Sequence, residues 1–244
     1  MISGRPDLVV VKDDQALARA VAERFVIAGR NAIVRRGRFN VALAGGSTPK
    51  AAYTLVATAF ADAVDWPRTR FFFGDERCVP PDDDESNYKM AKSTLLDALH
   101  IGDDCIFRMR GEDDPPAAAR AYADILRGEL GPELAFDLVM LGMGPDGHTA
   151  SLFPGTDPTL EDAALVRAPF VEQFGTHRIT LTPRVINAAR AVAVATAGSS
   201  KAQALYAVLD GPRDPTRYPI QILEPQHGTL TWLVDEAAAA GLSR

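Results

Sequence analysis

Two cysteines, Cys78 and Cys105, are all this chain has, and they stand too far apart to match any zinc-binding spacing. So few thiols exclude a disulfide scaffold and fit a reducing compartment. The four histidines, His100, His148, His177 and His227, form neither HxxxH nor HExxH, so no metal site is expected. No apolar run approaches the ~20 residues of a membrane span. Near the N-terminus only Leu8–Val11 is continuously apolar, far too short for a signal sequence. A cytoplasmic protein that engages no membrane is expected. Positive charge is also scarce: 26 Lys and Arg face 32 Asp and Glu, a net charge of −6. That balance argues against general nucleic-acid binding. It also means that an anionic substrate must be gathered by a local positive site rather than by the overall field. Walker A loops, GxSxG elbows, internal repeats and low-complexity tracts are all absent.

What is present is a chain of 244 residues, 47% of them hydrophobic, enough for a sizeable core without disulfides or metals. Strand-like and helix-like stretches alternate nearly throughout. Strands are expected at Leu8–Val11, Phe39–Ala44, Arg70–Phe73, Phe136–Leu141, Arg178–Leu181, Ala191–Thr196 and Leu230–Val234. Helical patterns fall at Ala16–Val34, from Pro49, and at Tyr88–Leu99, Ala117–Leu130, Pro183–Ala189, Ser199–Leu209 and Asp235–Ala240. Such alternation predicts an α/β fold with a mostly parallel, Rossmann-like sheet covered by helices on both faces. No Pro/Gly/Ser linker divides the chain, so residues 1–244 read as a single domain.

Four loops carry chemistry. Ala44-Gly45-Gly46-Ser47-Thr48-Pro49 joins a strand to a helix, with proline at the helix start and Ser47 or Thr48 expected to cap. Backbone N–H groups and the helix dipole make it an anion site; an ordinary capped turn is the plain alternative. Gly74-Asp75-Glu76-Arg77 ends another strand, and its three charged residues are expected to stay out of the core. Arg77 suits bidentate contact with carboxylate or phosphate, and Asn87 and Tyr88 begin the next helix. The third loop, Gly142-Met143-Gly144-Pro145-Asp146-Gly147-His148, leads to Thr149 and Ser151. Asp146 and His148 can point at one site from a turn, the carboxylate orienting the imidazole for proton transfer. This loop also satisfies GxGxxG, with Glu161 and Asp162 about 20 residues on. A dinucleotide site is nonetheless not expected. Pro154 leaves no room for a crossover helix, Asp146 would repel a pyrophosphate, and no strand precedes Glu161. The fourth region pairs His177-Arg178 with Gly198-Ser199-Ser200-Lys201. Lys201 falls in the first turn of a helix, where a cation opposes the dipole and a bound anion would explain it. His177 reads as structural or exposed.

Together, in this order, the loops resemble the 6-phosphogluconolactonase family. VALAGGSTPKAAY, FFFGDERCVPPDDDESNYKMA, FDLVMLGMGPDGHTASLFPGT, RITLTPRVINAAR and GSSKAQAL carry the resemblance over roughly residues 40–205. Glucosamine-6-phosphate deaminases, relatives of that family, share the GSTP, DE and DGH loops. They continue DGHIAFNEP, with an acid–base Glu before the proline; here Phe153 holds that place, and Arg77 replaces the Tyr of their DEY. Both changes favour the lactonase.

The resemblance implies a sugar-phosphate deaminase/isomerase-like fold. It also implies hydrolysis of 6-phosphoglucono-δ-lactone to 6-phosphogluconate, the second step of the oxidative pentose phosphate pathway, with no metal or organic cofactor. The residues can supply this chemistry. His148 is the natural general base, and Asp146 orients it. Arg77 and nearby N–H groups stabilise the oxyanion or bind sugar hydroxyls, and Asp75 accepts a hydroxyl hydrogen bond. The phosphate is expected on Ser47, Thr48 and the Gly46 backbone, with Gly45 and Gly144 beside it and Arg178 and Lys201 as a clamp. The expected partner is a small sugar phosphate lactone, and the expected assembly a monomer or small homo-oligomer. Three other readings stand beside this one: an aldose-ketose or amino-sugar isomerase, a non-catalytic sugar-phosphate sensor, and a nicotinamide enzyme resting on GMGPDG alone.

Overall fold

A computed structural model describes residues 7–156 and 163–243. In chain order its elements are β1 (Asp7–Val11), α1 (Asp14–Arg36), β2 (Phe39–Leu43), α2 (Ser47–Ala59), β3 (Thr69–Phe73), β4 (Asp75–Arg77), α3 (Asn87–Ala91) and α4 (Pro115–Leu130). There follow β5 (Leu138–Gly142), β6 (Val166–Arg167), β7 (Phe170–Val171), β8 (Thr176–Leu181), α5 (Pro183–Asn187), β9 (Ala191–Thr196), α6 (Ala202–Leu209) and β10 (Thr229–Asp235). Local chemistry sets the ends of the long helices. Asp13 caps α1 by accepting from Ala16 N at 2.9 Å, and Gly37 closes it in the left-handed region. Asp114 and Pro115 open α4 in the same sense.

Six strands form one sheet in the order β1-β10-β9-β5-β2-β3, every pair parallel. The two-residue period of a strand divides its side chains between two cores. Val41, Leu43, Phe71, Phe73, Leu138, Met140, Ala193 and Ala195 face α1 and α2. Their alternates, Ala42, Phe72, Val139, Leu141, Val192 and Val194, face α4, α5 and α6. The Ala/Val alternation of β9 thus puts its small side toward α1 and its branched side toward α6. The result is the mostly parallel α/β fold with helices on both faces that the alternation predicts.

The differences from expectation lie at the carboxyl ends of the strands. Gly74-Asp75-Glu76-Arg77 is no simple loop: Asp75–Arg77 is β4, which pairs antiparallel with β8. With β6 and β7 also on β8, it makes a small antiparallel sheet beside the main one. Glu76 is 2% exposed and Asp75 8%, so two of the three charges expected outside the core are buried. The reason is donor supply. Glu76 accepts from the backbone N–H of Arg77, Asn87 and Tyr88 at 2.7–2.8 Å and from Ser86 Oγ at 3.1 Å. The helical segment after Asn87 passes from α3 into a π-helical turn over Lys92–Leu96. The expected terminal helix is only a short 3-10 turn, Ala238–Gly241, because β10 runs on to Asp235.

Candidate active site

The chain leaves β2 for β3 at one edge, then returns to β5 and moves the other way to β9 and β10. The order therefore switches between β2 and β5, and ligand crevices form at the carboxyl ends of strands at such a point. A cleft of about 290 Å³ lies there. Loops after four adjacent strands, β3, β2, β5 and β9, line it.

The β2 loop supplies an uncapped helix end. Gly46 is the N-cap residue of α2, at φ 101°, and no side chain caps the helix. Ser47 and Thr48 are therefore the first two helical residues and not the cap, which corrects the expectation. Gly46 takes the cap because only glycine adopts that backbone without strain. The consequence is that the N–H groups and hydroxyls of the first turn remain open to the cleft. Upstream, the buried Tyr53 hydroxyl donates to Ala44 O at 3.0 Å and accepts from Ala44 N at 2.9 Å, pinning the strand end. Burial pushes this phenol well above its ordinary pKa, so it stays a neutral pin.

The β5 loop folds on itself. Gly144 N donates to His148 O and Gly147 N to Gly144 O. Asp146 Oδ1 receives both the backbone N–H of His148, at 3.1 Å, and its ring Nδ1, at 2.6 Å. Burial raises the Asp146 carboxyl, but the hydrogen bonds and charge of His148 outweigh that and hold it below the usual carboxylate range. Nε2 of His148 makes no hydrogen bond among the described residues. Gly144 makes the pair possible: a Cβ there would fall 2.1 Å from His148 Nδ1 and 2.6 Å from Asp146 Oδ1. Phe153 packs on the imidazole, ring centroids 4.2 Å apart. Among the described residues no crossover helix follows; Thr149–Leu152 forms a tight turn where a dinucleotide-binding loop would open a helix. Glu161 and Asp162 lie outside the described residues.

On the β3 side, Asp75 accepts from Ser151 Oγ at 2.6 Å and from Asn87 Nδ2 at 3.2 Å. Asp75, Arg77 and Asn87 line the cleft, and Arg77 Nη1 donates to Glu85 O. Arg178 does not line the cleft. It is 7% exposed and stands opposite Arg77 in the β4–β8 register, its Nη1 without a hydrogen-bond partner among the described residues. Burial and the charge of Arg77 push its pKa down. Glu76 lies one layer back; burial raises its carboxyl against the pull of its backbone donors.

The β9 loop brings Lys201, whose ammonium burial pushes down in pKa against the opposing pull of Asp146. Asp235 positions this loop by accepting Gly198 N on both carboxylate oxygens at 3.0 Å and Ala238 N at 2.7 Å. Thr196 lines the cleft with a buried hydroxyl that has no hydrogen-bond partner among the described residues. His177 lies elsewhere, bonded to Ala168 O at 2.9 Å and stacked edge-on to Phe170, a structural role as expected.

The structure thus gathers His148, Asp75, Arg77, Gly45, Gly46, Ser47, Thr48, Gly144 and Lys201 around one cleft, sets Asp146 against His148 just outside the lining, and leaves Arg178 off it. Sequence reasoning missed Glu76, Tyr53, Thr196 and Asp235. A charged or hydroxyl residue at a strand end carries no mark of burial, so only the GDER motif hinted at any of them. Among the described residues no cluster of three or more His, Cys, Asp or Glu could hold a metal, and both cysteines are free thiols. No described helix is long and apolar enough to cross a membrane.

A family model described as glucosamine-6-phosphate isomerases/6-phosphogluconolactonase matches residues 12–232. A 6-phosphogluconolactonase of Nostoc sp. is 38% identical over 96% of this chain and 97% of its own. One of Synechocystis sp. is 39% identical over 86% and 88%. Among solved structures, 6-phosphogluconolactonase from Trypanosoma cruzi superposes with a TM-score of 0.88 at 29% identity, covering 100% of this chain and 99% of that one.

Proposed function

The chain belongs to the glucosamine-6-phosphate isomerase/6-phosphogluconolactonase family, and we propose that its cleft uses His148 as general base to hydrolyse 6-phospho-D-glucono-1,5-lactone to 6-phospho-D-gluconate, without a metal. The enzyme is a 6-phosphogluconolactonase, a carboxylic ester hydrolase of the pentose phosphate pathway. The observation that carries the residue roles is the Asp146–His148 contact, beside a cleft that the uncapped start of α2 also lines.

Asp146 holds Nδ1–H and leaves Nε2 to take a proton from water as that water attacks the lactone carbonyl. The tetrahedral oxyanion forms against Arg77 and loop N–H groups. The ring C–O bond then breaks, and the imidazolium returns the proton to the leaving hydroxyl. Asp75, already an acceptor for Ser151, takes a hydrogen bond from a sugar hydroxyl. The phosphate sits on the Gly45–Thr48 turn, with Gly144 and Lys201 beside it and Arg178 adding positive charge from behind Arg77. Binding energy from the remote phosphate holds the carbonyl near the base. A δ-lactone is strained and reactive, so a base, oxyanion donors and positioning suffice without a Lewis acid. An isomerase needs a second acid–base group where Phe153 packs on His148, and a phenyl ring carries no proton.

The test is hydrolysis of the lactone generated in situ, wild type against His148→Ala, before and after extensive chelation. Wild type should run well above the spontaneous rate with or without chelator, and the variant should lose about 10²–10⁴-fold. A variant as fast as wild type removes His148 from the reaction. Loss on chelation, restored by a divalent ion, removes the metal-free mechanism.

A further inference from the structure

The hydrogen bond to Asp146 fixes the imidazole of His148 only within its plane. Rotation of the ring about the Nδ1···Oδ1 line would still swing Nε2 away from a substrate. The face of the ring is what remains to be held. Phe153 lies against that face, its plane tilted 36° to the imidazole. We infer that Phe153 is a positioning residue for His148, holding the imidazole from its face as Asp146 holds it from its edge. This deepens the lactonase reading and rests on it.

Phe153 is itself firmly placed. It is 6% exposed, it follows the Thr149–Leu152 turn, and its carbonyl accepts from Thr156 N at 3.1 Å and Thr156 Oγ1 at 2.8 Å. Behind it stands Phe174, edge-on, with centroids 5.7 Å apart. The guanidinium of Arg178 lies over the far ring, 4.9 Å from its centroid. Imidazole, phenyl, phenyl and guanidinium thus form one continuous chain of ring contacts. Phe174 is half-exposed, with one edge of its ring on Phe153. It ends a short 3-10 turn that left-handed Gly175 closes. Aromatic pairs of this edge-on kind hold relative orientation as well as burying area. The small antiparallel sheet, which carries Arg178, therefore buttresses the proposed base across the rings.

A mere core residue is replaceable by any apolar side chain of similar volume. A face-positioning residue needs a flat ring. Phe153→Leu should lower kcat about tenfold or more, with KM changed less than about twofold. Phe153→Tyr, which keeps the ring, should recover kcat to within about threefold of wild type. Phe174→Leu, at a half-exposed position that leaves the fold intact, should lower kcat by about two- to threefold with only a small fall in Tm. The readout independent of turnover is NMR of ¹⁵N-labelled histidine. Wild-type His148 should show one slowly exchanging Nδ1–H, and Phe153→Leu should broaden it or speed its exchange. Unchanged kcat and unchanged His148 signals in Phe153→Leu overturn the inference. So does a kcat loss that Phe153→Tyr shares in full. Should Phe153→Leu fail to fold, the Phe174→Leu kinetics and NMR decide alone. If wild type itself hydrolyses no lactone, the functional reading falls, while the NMR comparison still decides whether Phe153 holds the ring.

Discussion

The two ends of the parallel sheet treat charge in opposite ways. At the amino ends of β5, β9 and β10 a cleft of about 1300 Å³ is lined by Arg190 and Arg213. Arg190 pairs there with Glu133 and Arg213 with Glu224. Beneath it the buried Asp137 takes Arg36 Nε at 2.6 Å, Asn40 N at 2.7 Å and a longer contact from Arg190. At the carboxyl ends the cleft is about 290 Å³, less than a quarter of that size. Yet Lys201 makes no ion pair among the described residues, Thr196 hides an unpartnered hydroxyl, α2 begins uncapped, and Nε2 of His148 is unbonded. Buried polar groups are normally satisfied, and leaving one without a partner costs free energy. Volume therefore does not mark a site. Asn40 Oδ1, at the amino end, is also buried without a hydrogen-bond partner among the described residues, but it does not line the larger cleft. Polar groups left open to a cleft mark a site, and by that measure the smaller cleft is the one built for a ligand.

The comparison breaks if damage at the two ends has the same consequence. The largest separation is expected from Gly144→Ala. A Cβ within 2.1 Å of His148 Nδ1 forces the pair apart, so kcat should fall about 10²-fold or more, near 3 kcal/mol in the transition state. Stopped-flow hydrolysis checks it, and near-normal kcat would show that the pair tolerates displacement. Next in size is Asp137→Ala at the far end. It strips a buried acceptor from Asn40 N and from Arg36, so stability should drop by about 2 kcal/mol in urea unfolding, with kcat unchanged. Equal losses of stability and turnover there would mean that the two ends are one unit.

What the sequence alone discloses follows the same division. Strand–helix alternation is a backbone-scale signal, and it locates the parallel sheet and both helical layers, because 2- and 3.6-residue periods survive in side-chain patterns. The four loops were legible for the same reason: glycine, proline and hydroxyl residues announce a turn in place. The antiparallel sheet was not. Asp75–Arg77 has three charged residues and no apolar period, and it becomes a strand only because β8, about 100 residues later, lies alongside. Glu76 was misjudged because its burial depends on three N–H groups from Arg77, Asn87 and Tyr88, a tertiary supply of donors invisible in a local window. Ser47 and Thr48 were misjudged as caps because side-chain preference favours them, whereas the conformation of Gly46 decided the matter. Asp235 looked like the start of a helix; its partner, Gly198, lies in another loop.

Two smaller effects sharpen the contrast within the cleft itself. Lys201→Met removes a cation that makes no ion pair among the described residues, so it should cost little stability and should raise KM for the phosphorylated lactone by about tenfold, near 1.4 kcal/mol. Unphosphorylated gluconolactone should show no such change, and an equal rise with both lactones would take Lys201 off the phosphate. The smallest effect concerns Asp146. Hydrogen bonds from His148 hold its carboxyl below the ordinary value despite burial. A depressed folded-state value means that the stabilisation is complete above the unfolded pKa, about 4, and is lost as pH falls through the lower folded value. The stability gap between wild type and Asp146→Asn should therefore be full at pH 5 and shrink below about pH 4. Because the Asp146 side chain is 35% exposed, solvent screening keeps the gap well under about 1 kcal/mol. Urea unfolding at pH 5, 4 and 3 reads it. A gap that instead widens on acidification would place the stabilising interaction on the protonated acid. Asp146 would then be a donor in its loop, and Nδ1 of His148 would have no anionic anchor.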